Sequence, residues 1–350
     1  MTSENPMNTL YERLSKAGLT QHYVKQRVLP DWWDDRAARN PVGYREGLGY
    51  ISKHTGIALE KLKGDGPITL GGKGRHVRFK KRDGVSHEDL TWAKTLAGRA
   101  AEMAAFAMNK EGRAVQSPGG WANIRASILA GHPWVDFERL LDFCWDAGIP
   151  VLHVSHFPKG SKKMAGMAAM VNGRPVLVIS KQHKHDAWLS FICAHELGHV
   201  AHGHLSDEEA LADAQVNPAA SGDGRMEQEA DDFAAGLIAA GERFETSQFP
   251  KAEALAEGAR TTAEEYRVAP GVIVLNYVYH VSAETGKNYY PLANKTLDLL
   301  YPDASGAHEK VKQKMTERLP LYHLPDESTS FFLRLTGAKS QRPAQTAEVA

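Results

Sequence analysis

The chain has 350 residues, which is enough to bury a sizeable core and to hold two or three structural units. Its 42 basic and 42 acidic side chains balance, so the overall charge gives no support for a nucleic-acid or membrane partner, and any basic patch must be local. The only two cysteines, Cys144 and Cys193, are too few for a disulfide framework and favour a reducing compartment.

The N-terminal part of the sequence predicts short helices. Roughly the first 30 residues are polar and lack the apolar core of a signal peptide, and no run approaches the roughly 20 apolar residues of a membrane span. We therefore expect a cytoplasmic protein with no membrane contact. Residues 8–63 have helical apolar spacing, and Gly56 separates two short helical patterns. This pattern is typical of a helix-turn-helix module, but also of a helical support for the next domain, and it leaves both interpretations open.

A change in composition then marks a boundary between domains 1–63 and 88–245. Residues 64–87 are rich in glycine, and the segment 73–82 is strongly basic. Such a segment could contact phosphates, so DNA binding through residues 8–82 is one prediction. A solvated linker is the other, and the commoner case for a basic run.

The next region combines helices with a small sheet. Residues 88–110 and 135–147 have the spacing of amphipathic helices, and residues 149–154 predict a strand. Residues 167–171 and 174–179 flank Asn172-Gly173, a dipeptide that favours a two-residue β-hairpin turn. We expected an extended peptide to pair with the second of these strands or with its partner.

The chemistry-bearing motif follows this hairpin directly. His195, Glu196 and His199 form H-E-x-x-H within the mostly apolar segment 187–201. On a helix, residues four apart lie on one face, so both imidazoles can bind one metal ion. Glu196 then lies beside the ion, where a carboxylate can take a proton from water. The motif is short enough to occur by chance, so its meaning depends on a third ligand.

A later helix, predicted at residues 226–240 after an acidic loop at 206–225, offers that ligand. The metzincin pattern fails, because His202 and Leu205 occupy the positions where it needs glycine and histidine. At about 100° per residue, Glu227 lies on the apolar side of the later helix, and Glu229 projects the opposite way. Glu227 is therefore the candidate ligand.

The neighbours of these ligands have less certain roles. Asp231 lies four residues beyond Glu227, near the border of the same face, and could orient a ligating histidine. Glu229 and Asp232 are expected to be surface charges. His202 and His204 are two further candidates, more typical of a helix end than of a metal site.

The remaining sequence predicts a helical C-terminal region at 246–338. Helical patterns occur at 261–286, 306–318 and 326–336, with Pro270-Gly271 marking an internal turn and Tyr289-Tyr290-Pro291 a break. Residues 339–350 are polar and expected to be disordered. The predicted fold class is therefore α+β and mostly helical.

Taken together, the hairpin, the H-E-x-x-H helix and the segment 227–235 resemble the ImmA/IrrE-type metallopeptidases. The resemblance covers roughly residues 135–245. It implies a zincin-like domain with a gluzincin-like site, in which His195, His199 and Glu227 are the Zn²⁺ ligands and Glu196 is the catalytic acid/base. Many members of this family carry an XRE-type helix-turn-helix before the peptidase domain, which supports that interpretation of residues 8–63.

The function that we predict is a zinc-dependent metallo-endopeptidase. Members of the family cleave repressors, so the expected substrate is a transcriptional repressor or an antitoxin, and cleavage would regulate transcription in a stress response. Tyr279 and His280 are guesses for the group that stabilises the oxyanion. The alternative is a DNA-binding regulator whose zinc site is structural or sensory, for which the acid/base role of Glu196 would be superfluous.

Overall fold

The computed structural model describes residues 5–68, 77–79, 87–161, 164–205, 210–213, 224–244 and 251–339, with only the backbone at 77–79, 87–91 and 210–213. The described helices are α1 Pro6–Lys16, α2 Gln21–Tyr23, α3 Pro41–Thr55, α4 Leu59–Lys63, α5 His87–Lys110, α6 Trp121–Leu129, α7 Phe137–Asp146, α8 Asp186–Ala201, α9 Gly224–Ala239, α10 Ala252–Tyr266, α11 Pro270–Thr285, α12 Tyr290–Leu300, α13 Ala307–Arg318 and α14 Asp326–Thr336. A π-helix at Val24–Val28 and 3₁₀ helices at Asp35–Arg39 and Leu321–His323 complete the helical part. The described strands are β1 Val77–Phe79, β2 Val151–His153, β3 Gly166–Val171, β4 Arg174–Ile179 and β5 Ala210–Asp213.

The strands form one sheet in the order β1-β5-β3-β4-β2. The predicted hairpin is confirmed: β3 and β4 are antiparallel, with Asn172 and Gly173 at φ values of 49° and 74°. Two consecutive positive φ angles are the geometry of a type I′ turn, which matches the twist of the strands. β2 pairs parallel to β4, β5 antiparallel to β3, and β1 parallel to β5.

Helices cover both faces of this sheet. Along β3 and β4, alternate side chains enter two different cores, as the two-residue repeat of a strand requires. Met167 and Val178 pack in the core that also holds α1, α3, α5 and α14. Ala168 and Leu177 pack in the core that holds α6 to α12. All six residues of β4 are consequently buried.

The N-terminal helices share the first core with α5 and α14. The helices α3 and α4 meet at Gly56, whose φ of 73° ends α3, as predicted. The ring of His54 lies in this core, stacked on Phe331 with 4.3 Å between the ring centroids. A helix-turn-helix function of residues 8–63 stays a prediction. Most of the basic segment 64–87, and the tail from residue 340, lie outside the described residues.

The mostly helical α+β class is confirmed, and two local expectations need correction. Residues 206–225 were expected to form only a loop, yet Ala210–Asp213 is a strand, because its backbone pairs with the edge of β3. The expected break around Pro291 is instead the first turn of α12, where a proline needs no backbone N–H donor. None of the described helices is both long and apolar enough to cross a membrane.

Candidate active site

The helix α8 carries the H-E-x-x-H motif through the interior of the molecule. It packs on β3, β4, α7, α9 and α11, and its side chains are apolar along most of its length. His195, Glu196 and His199 are each only 1% exposed. These three polar side chains are therefore held where water is scarce, which is costly unless they have specific partners.

Glu227 reaches this site because α8 and α9 approach closely at a glycine. A Cβ atom at Gly198 would lie 3.0 Å from Cα of Ala230, closer than side chains normally allow. The missing side chain lets the backbones of the two helices approach each other directly. Glu227 lies one turn before Ala230 on α9, as the predicted helical face required, and its carboxylate points towards both imidazoles.

The three predicted ligands come together in a geometry that suits a metal ion. The Nε2 atoms of His195 and His199 are 3.2 Å apart, and they lie 3.6 Å and 3.7 Å from the two carboxylate oxygens of Glu227. Bonds of about 2.0–2.1 Å in a tetrahedral zinc site separate neighbouring ligand atoms by roughly 3.3 Å. Two imidazoles and one carboxylate are also a donor set that zinc hydrolases use. These residues therefore fit a divalent metal ion.

The other ring nitrogen of His195 is fixed by Asp231. The Nδ1–H group of His195 donates to the carboxylate of Asp231 at 2.8 Å, which leaves the Nε2 lone pair facing Glu227 and His199. Asp231 is 8% exposed, so the hydrogen bond is largely shielded from water. This is the orienting hydrogen bond that the sequence predicted for Asp231.

A second chain of hydrogen bonds fixes His199, and the sequence analysis missed it. His199 donates from Nδ1 to Nδ1 of His204 at 2.9 Å, and His204 donates from Nε2 to Glu229 at 2.9 Å. The hydrogen bond from Arg225, followed by that from His204, lowers the pKa of Glu229. Glu229 is thus not a simple surface charge. The available signal was His204 at the end of α8, five residues beyond a predicted ligand.

The protonation state of His199 suits a ligand. Burial, with the neighbouring charge of His195 as the next cause, lowers the pKa of His199 to about 3. The ring is therefore neutral at pH 7 and keeps a lone pair at Nε2 when Nδ1 carries the proton. His202, by contrast, is exposed and forms a second group with His204 and Glu229, with ligand atoms within 4.8 Å of one another.

Glu196 points to the start of β3. A Cβ atom at Gly166 would lie 2.3 Å from Oε1 of Glu196, so only glycine leaves room for this carboxylate. Glu196 thus lies between the metal-binding residues of its own helix and the strand beside which a peptide would have to lie.

A cavity of about 810 Å³ adjoins these residues. Phe191 and Asp231 line it, and both contact His195: the ring centroids of Phe191 and His195 are 6.3 Å apart. Tyr279 and His280 also line it. Burial, and then the charge of Asp231, raises the pKa of Tyr279, so this hydroxyl lies close enough to the site to feel a carboxylate there.

The sequence predicted that a peptide pairs either with β4 or with its partner strand. β4 is hydrogen-bonded to β3 on one side and to β2 on the other, so the prediction that β4 itself pairs with a peptide is wrong. Its partner β3 is the strand next to Glu196, and β5 of the same chain pairs along the other side of β3.

Comparison with known proteins agrees with this geometry. Residues 147–276 match the family model Peptidase_M78, described as the IrrE N-terminal-like domain. Comparisons with curated proteins and with solved structures gave no match. The matched segment begins before β2 and ends within α11, so it contains β2 to β4, α8 and α9, and with them both helices that carry the candidate metal ligands. Residues 147–276 are therefore similar to the ImmA/IrrE-type peptidase family, whose function is of the metallopeptidase type.

Proposed function

We propose that the protein is a zinc-dependent endopeptidase that cleaves a protein substrate. One observation carries this proposal: ligand atoms of His195, His199 and Glu227 converge within 4.8 Å of one another, and Glu196 is buried beside them on the same helix. A purely structural site would be served by ligands alone. The buried carboxylate next to the ligands supplies the proton acceptor that hydrolysis needs.

The roles of the side chains follow from their positions. His195, His199 and Glu227 would hold the ion, and Asp231 and His204 keep the two imidazoles in the required orientation. When bound, Zn²⁺ supplies a Lewis acid that polarises a carbonyl group and lowers the pKa of water. Glu196 takes the proton of the attacking water and passes it to the amine that leaves. Tyr279, whose side chain lines the adjoining cavity, would donate a hydrogen bond to the developing oxyanion.

The proposed substrate strand would lie beside β3. Gly166 lies against Glu196, and the backbone of β3 at residues 166–169 pairs with an antiparallel strand, β5. A peptide that adds to this edge would form the same main-chain hydrogen bonds. We infer that a substrate strand takes the place of β5, which must leave before cleavage.

The biological substrate that we propose is a transcriptional repressor or an antitoxin. The support is the similarity of residues 147–276 to this peptidase family, together with the helix-turn-helix-like spacing of residues 8–63 in the sequence. Cleavage in the cytoplasm would then release transcription from repression.

The test is a pair of conservative substitutions. Glu196→Gln should retain bound zinc and abolish cleavage, because the amide keeps the shape of the side chain but cannot accept the proton. Glu257→Gln, on the exposed side of α10, is the matched control and should leave both properties unchanged. Zinc is measured in the purified protein and cleavage on a peptide library. Cleavage that survives Glu196→Gln, with normal zinc content, would overturn the mechanism.

The alternative function is a DNA-binding regulator with a structural or sensory metal site. Its support comes from the sequence, in the helical spacing of residues 8–63 and in the basic segment 73–82, most of which lies outside the described residues. A mobility-shift assay with promoter DNA distinguishes the two. DNA binding that requires zinc, without proteolysis of any co-purified or co-expressed repressor, would favour the alternative.

A further inference from the structure

The cavity beside the metal-binding residues has one apolar end and one end rich in hydrogen-bond donors. Its apolar wall is built by α8, α9 and α11, with aromatic rings at Trp188, Phe191 and Tyr279. Ala235 and Ala239 keep the α9 side of the cavity open, because their side chains are small. A volume of about 810 Å³ is far more than a methyl or isopropyl group fills. The cavity therefore suits a large apolar side chain.

Three donors line the cavity where β4 ends and α8 begins. Ser180 is 2% exposed, and its hydroxyl has no hydrogen-bond partner among the described residues. The same holds for the buried indole N–H of Trp188. Nζ of Lys181 lies 4.5 Å from the centroid of the Trp188 ring, and burial lowers the pKa of this lysine. Buried donors without partners are costly, so they indicate an acceptor that the protein itself does not supply.

The charges around the cavity indicate which acceptor fits this end. Asp231 and Asp232 line the wall formed by α9, and both already accept hydrogen bonds, from His195 and from Gln228. A second carboxylate would be repelled there. Among the described residues that line the cavity, Lys181 at the donor end is the only lysine or arginine, and His280 is the only histidine. An O–H, an N–H and an ammonium group together match a carboxylate.

The direction of β3 shows which part of a peptide would enter this cavity. Gly166 lies at Glu196, and the residues just before it, Met164 and Ala165, line the cavity. β5 demonstrates that this edge pairs with an antiparallel strand. In an antiparallel strand, residues that follow the bond next to Glu196 run towards Ala165 and Met164. The cavity thus lies on the C-terminal side of the scissile bond.

We propose that this cavity selects substrates with a large apolar side chain directly after the scissile bond and a carboxylate two residues further on, because alternate side chains of an extended strand lie on the same face. The carboxylate, held by Ser180, Lys181 and Trp188, belongs either to an acidic side chain or to the C-terminus of the peptide. The apolar side chain packs between Trp188 and Phe191 on one side and Ala235 on the other. This assignment rests on the proposed peptidase function only for the position of the cleaved bond.

Binding is measured first, with the zinc-loaded Glu196→Gln protein, so that cleavage does not interfere. The probes are four fluorescent peptides that differ at two positions: Phe or Ala directly after the central bond, and Glu or Gln two residues further on, all with an amidated C-terminus. We expect Phe to bind about tenfold more tightly than Ala, or better, and Glu to bind several-fold more tightly than Gln. A peptide with Phe after the central bond, which ends two residues later at Gln with a free C-terminus, distinguishes a terminal carboxylate from a side-chain carboxylate.

Variants then assign each preference to its residue. Lys181→Met and Ser180→Ala should remove the preference for Glu and keep the preference for Phe. Trp188→Phe, which removes the N–H group and keeps an aromatic ring, should weaken the preference for Glu. Ala235→Phe, which fills the cavity, should remove the preference for Phe. Lys184→Met is the matched control, because this lysine lies outside the cavity and pairs with Asp298.

The outcomes separate the two proposals. Equal binding of all four peptides, or preferences that Lys181→Met and Ala235→Phe leave unchanged, would overturn the assignment of the cavity. Selective binding by Glu196→Gln without cleavage by the unmodified, zinc-loaded protein would leave the cavity assignment intact and refute the peptidase function. Cleavage of all four peptides at equal rates would refute the cavity assignment and leave the peptidase function intact.

Discussion

Nδ1 of His195 lies 2.8 Å from Oδ1 of Asp231, so a carboxylate on α9 sets the orientation of an imidazole on α8. Both side chains are more than nine-tenths buried, and the hydrogen bond spans the same helix pair that brings Glu227 to the site. The two metal-binding helices are therefore joined by an orienting contact as well as by the ligands themselves.

Asp231→Ala should weaken zinc binding about 10–100-fold, because His195 loses the partner that fixes its ring and its tautomer. Asp232→Ala is the matched control: this neighbouring carboxylate is exposed and bonds to Gln228 instead. Zinc affinity is measured by competition with a chromophoric chelator. Equal affinities of the two variants would show that Asp231 does not support the metal site.

His204→Phe should also weaken zinc binding, by about tenfold, because His199 then loses the acceptor of its Nδ1–H group. The ring of phenylalanine preserves the packing, so folding should be affected little. His202→Phe changes a neighbouring, exposed histidine that does not bond to His199 and should bind zinc as before. If His202→Phe lost more zinc affinity than His204→Phe, the supporting role of His204 would be contradicted.

The elements of this fold that have strong local signals could be predicted from the sequence. The Asn172-Gly173 turn encodes its own geometry, and the hairpin follows from it. The four-residue spacing of His195 and His199, and the apolar side of α9, place three ligands without any knowledge of the fold, since helical periodicity is local. The pairing of β5 with β3 could not be predicted, because nothing in residues 210–213 specifies a distant partner.

The supporting contacts were predictable only in part. Asp231 was found because it shares a helical face with Glu227. His204 lies beyond the end of α8, in a turn whose path back towards His199 depends on tertiary packing. Glu229 points away from the ligand face of α9, as predicted, but meets His204 there. A wheel projection of one helix gives a side chain's direction, and it does not show what another segment places in that direction.

Gly198→Ala should destabilise the protein by about 1–3 kcal/mol, because the added methyl group forces α8 and α9 apart. The same movement withdraws Glu227 from the two imidazoles, so zinc binding should weaken in parallel. Gly98→Ala, in the helix α5, provides the comparison: a Cβ atom there meets nothing within 4 Å, so this change should stabilise the protein by about 0.5–1 kcal/mol. Denaturant unfolding and zinc titration of both variants test the pair, and equal stabilities would contradict the close-packing argument.

Substituting prolines in β5 should increase cleavage if this strand occupies the place of the substrate. Leu211→Pro together with Ala212→Pro removes two consecutive backbone donors, of which one must face β3 in an antiparallel ladder. We expect peptide cleavage to rise several-fold without a change in zinc content. Leu211→Ala with Ala212→Ser retains both N–H groups and serves as the control. Unchanged or lower cleavage by the proline variant would show that β5 does not block the edge.

His54 connects the N-terminal helices to α14 and should make the stability of this contact depend on pH. Its Nδ1–H group donates to the backbone oxygen of Val28 at 2.6 Å, and its ring stacks on Phe331. Burial, with smaller effects from the charges of Lys53, Arg334 and Arg99, lowers the pKa of His54 to about 4, although the hydrogen bond to Val28 opposes this shift.

The direction of this pH dependence follows from comparison with the unfolded chain, in which the pKa of a histidine is about 6.5. Between pH 6.5 and about 4 the unfolded chain binds the proton and the folded protein does not, so the free energy of unfolding falls by about 1.4 kcal/mol per pH unit as the pH decreases. His54→Gln removes this contribution, so its loss of stability from pH 7 to pH 5 should be about 2 kcal/mol smaller than that of the unmodified protein. His22→Gln, at an exposed position on α2, should leave the pH dependence unchanged. Urea unfolding at both pH values measures the difference, and identical pH dependences in the unmodified and His54→Gln proteins would mean that His54 is not the buried, neutral contact described.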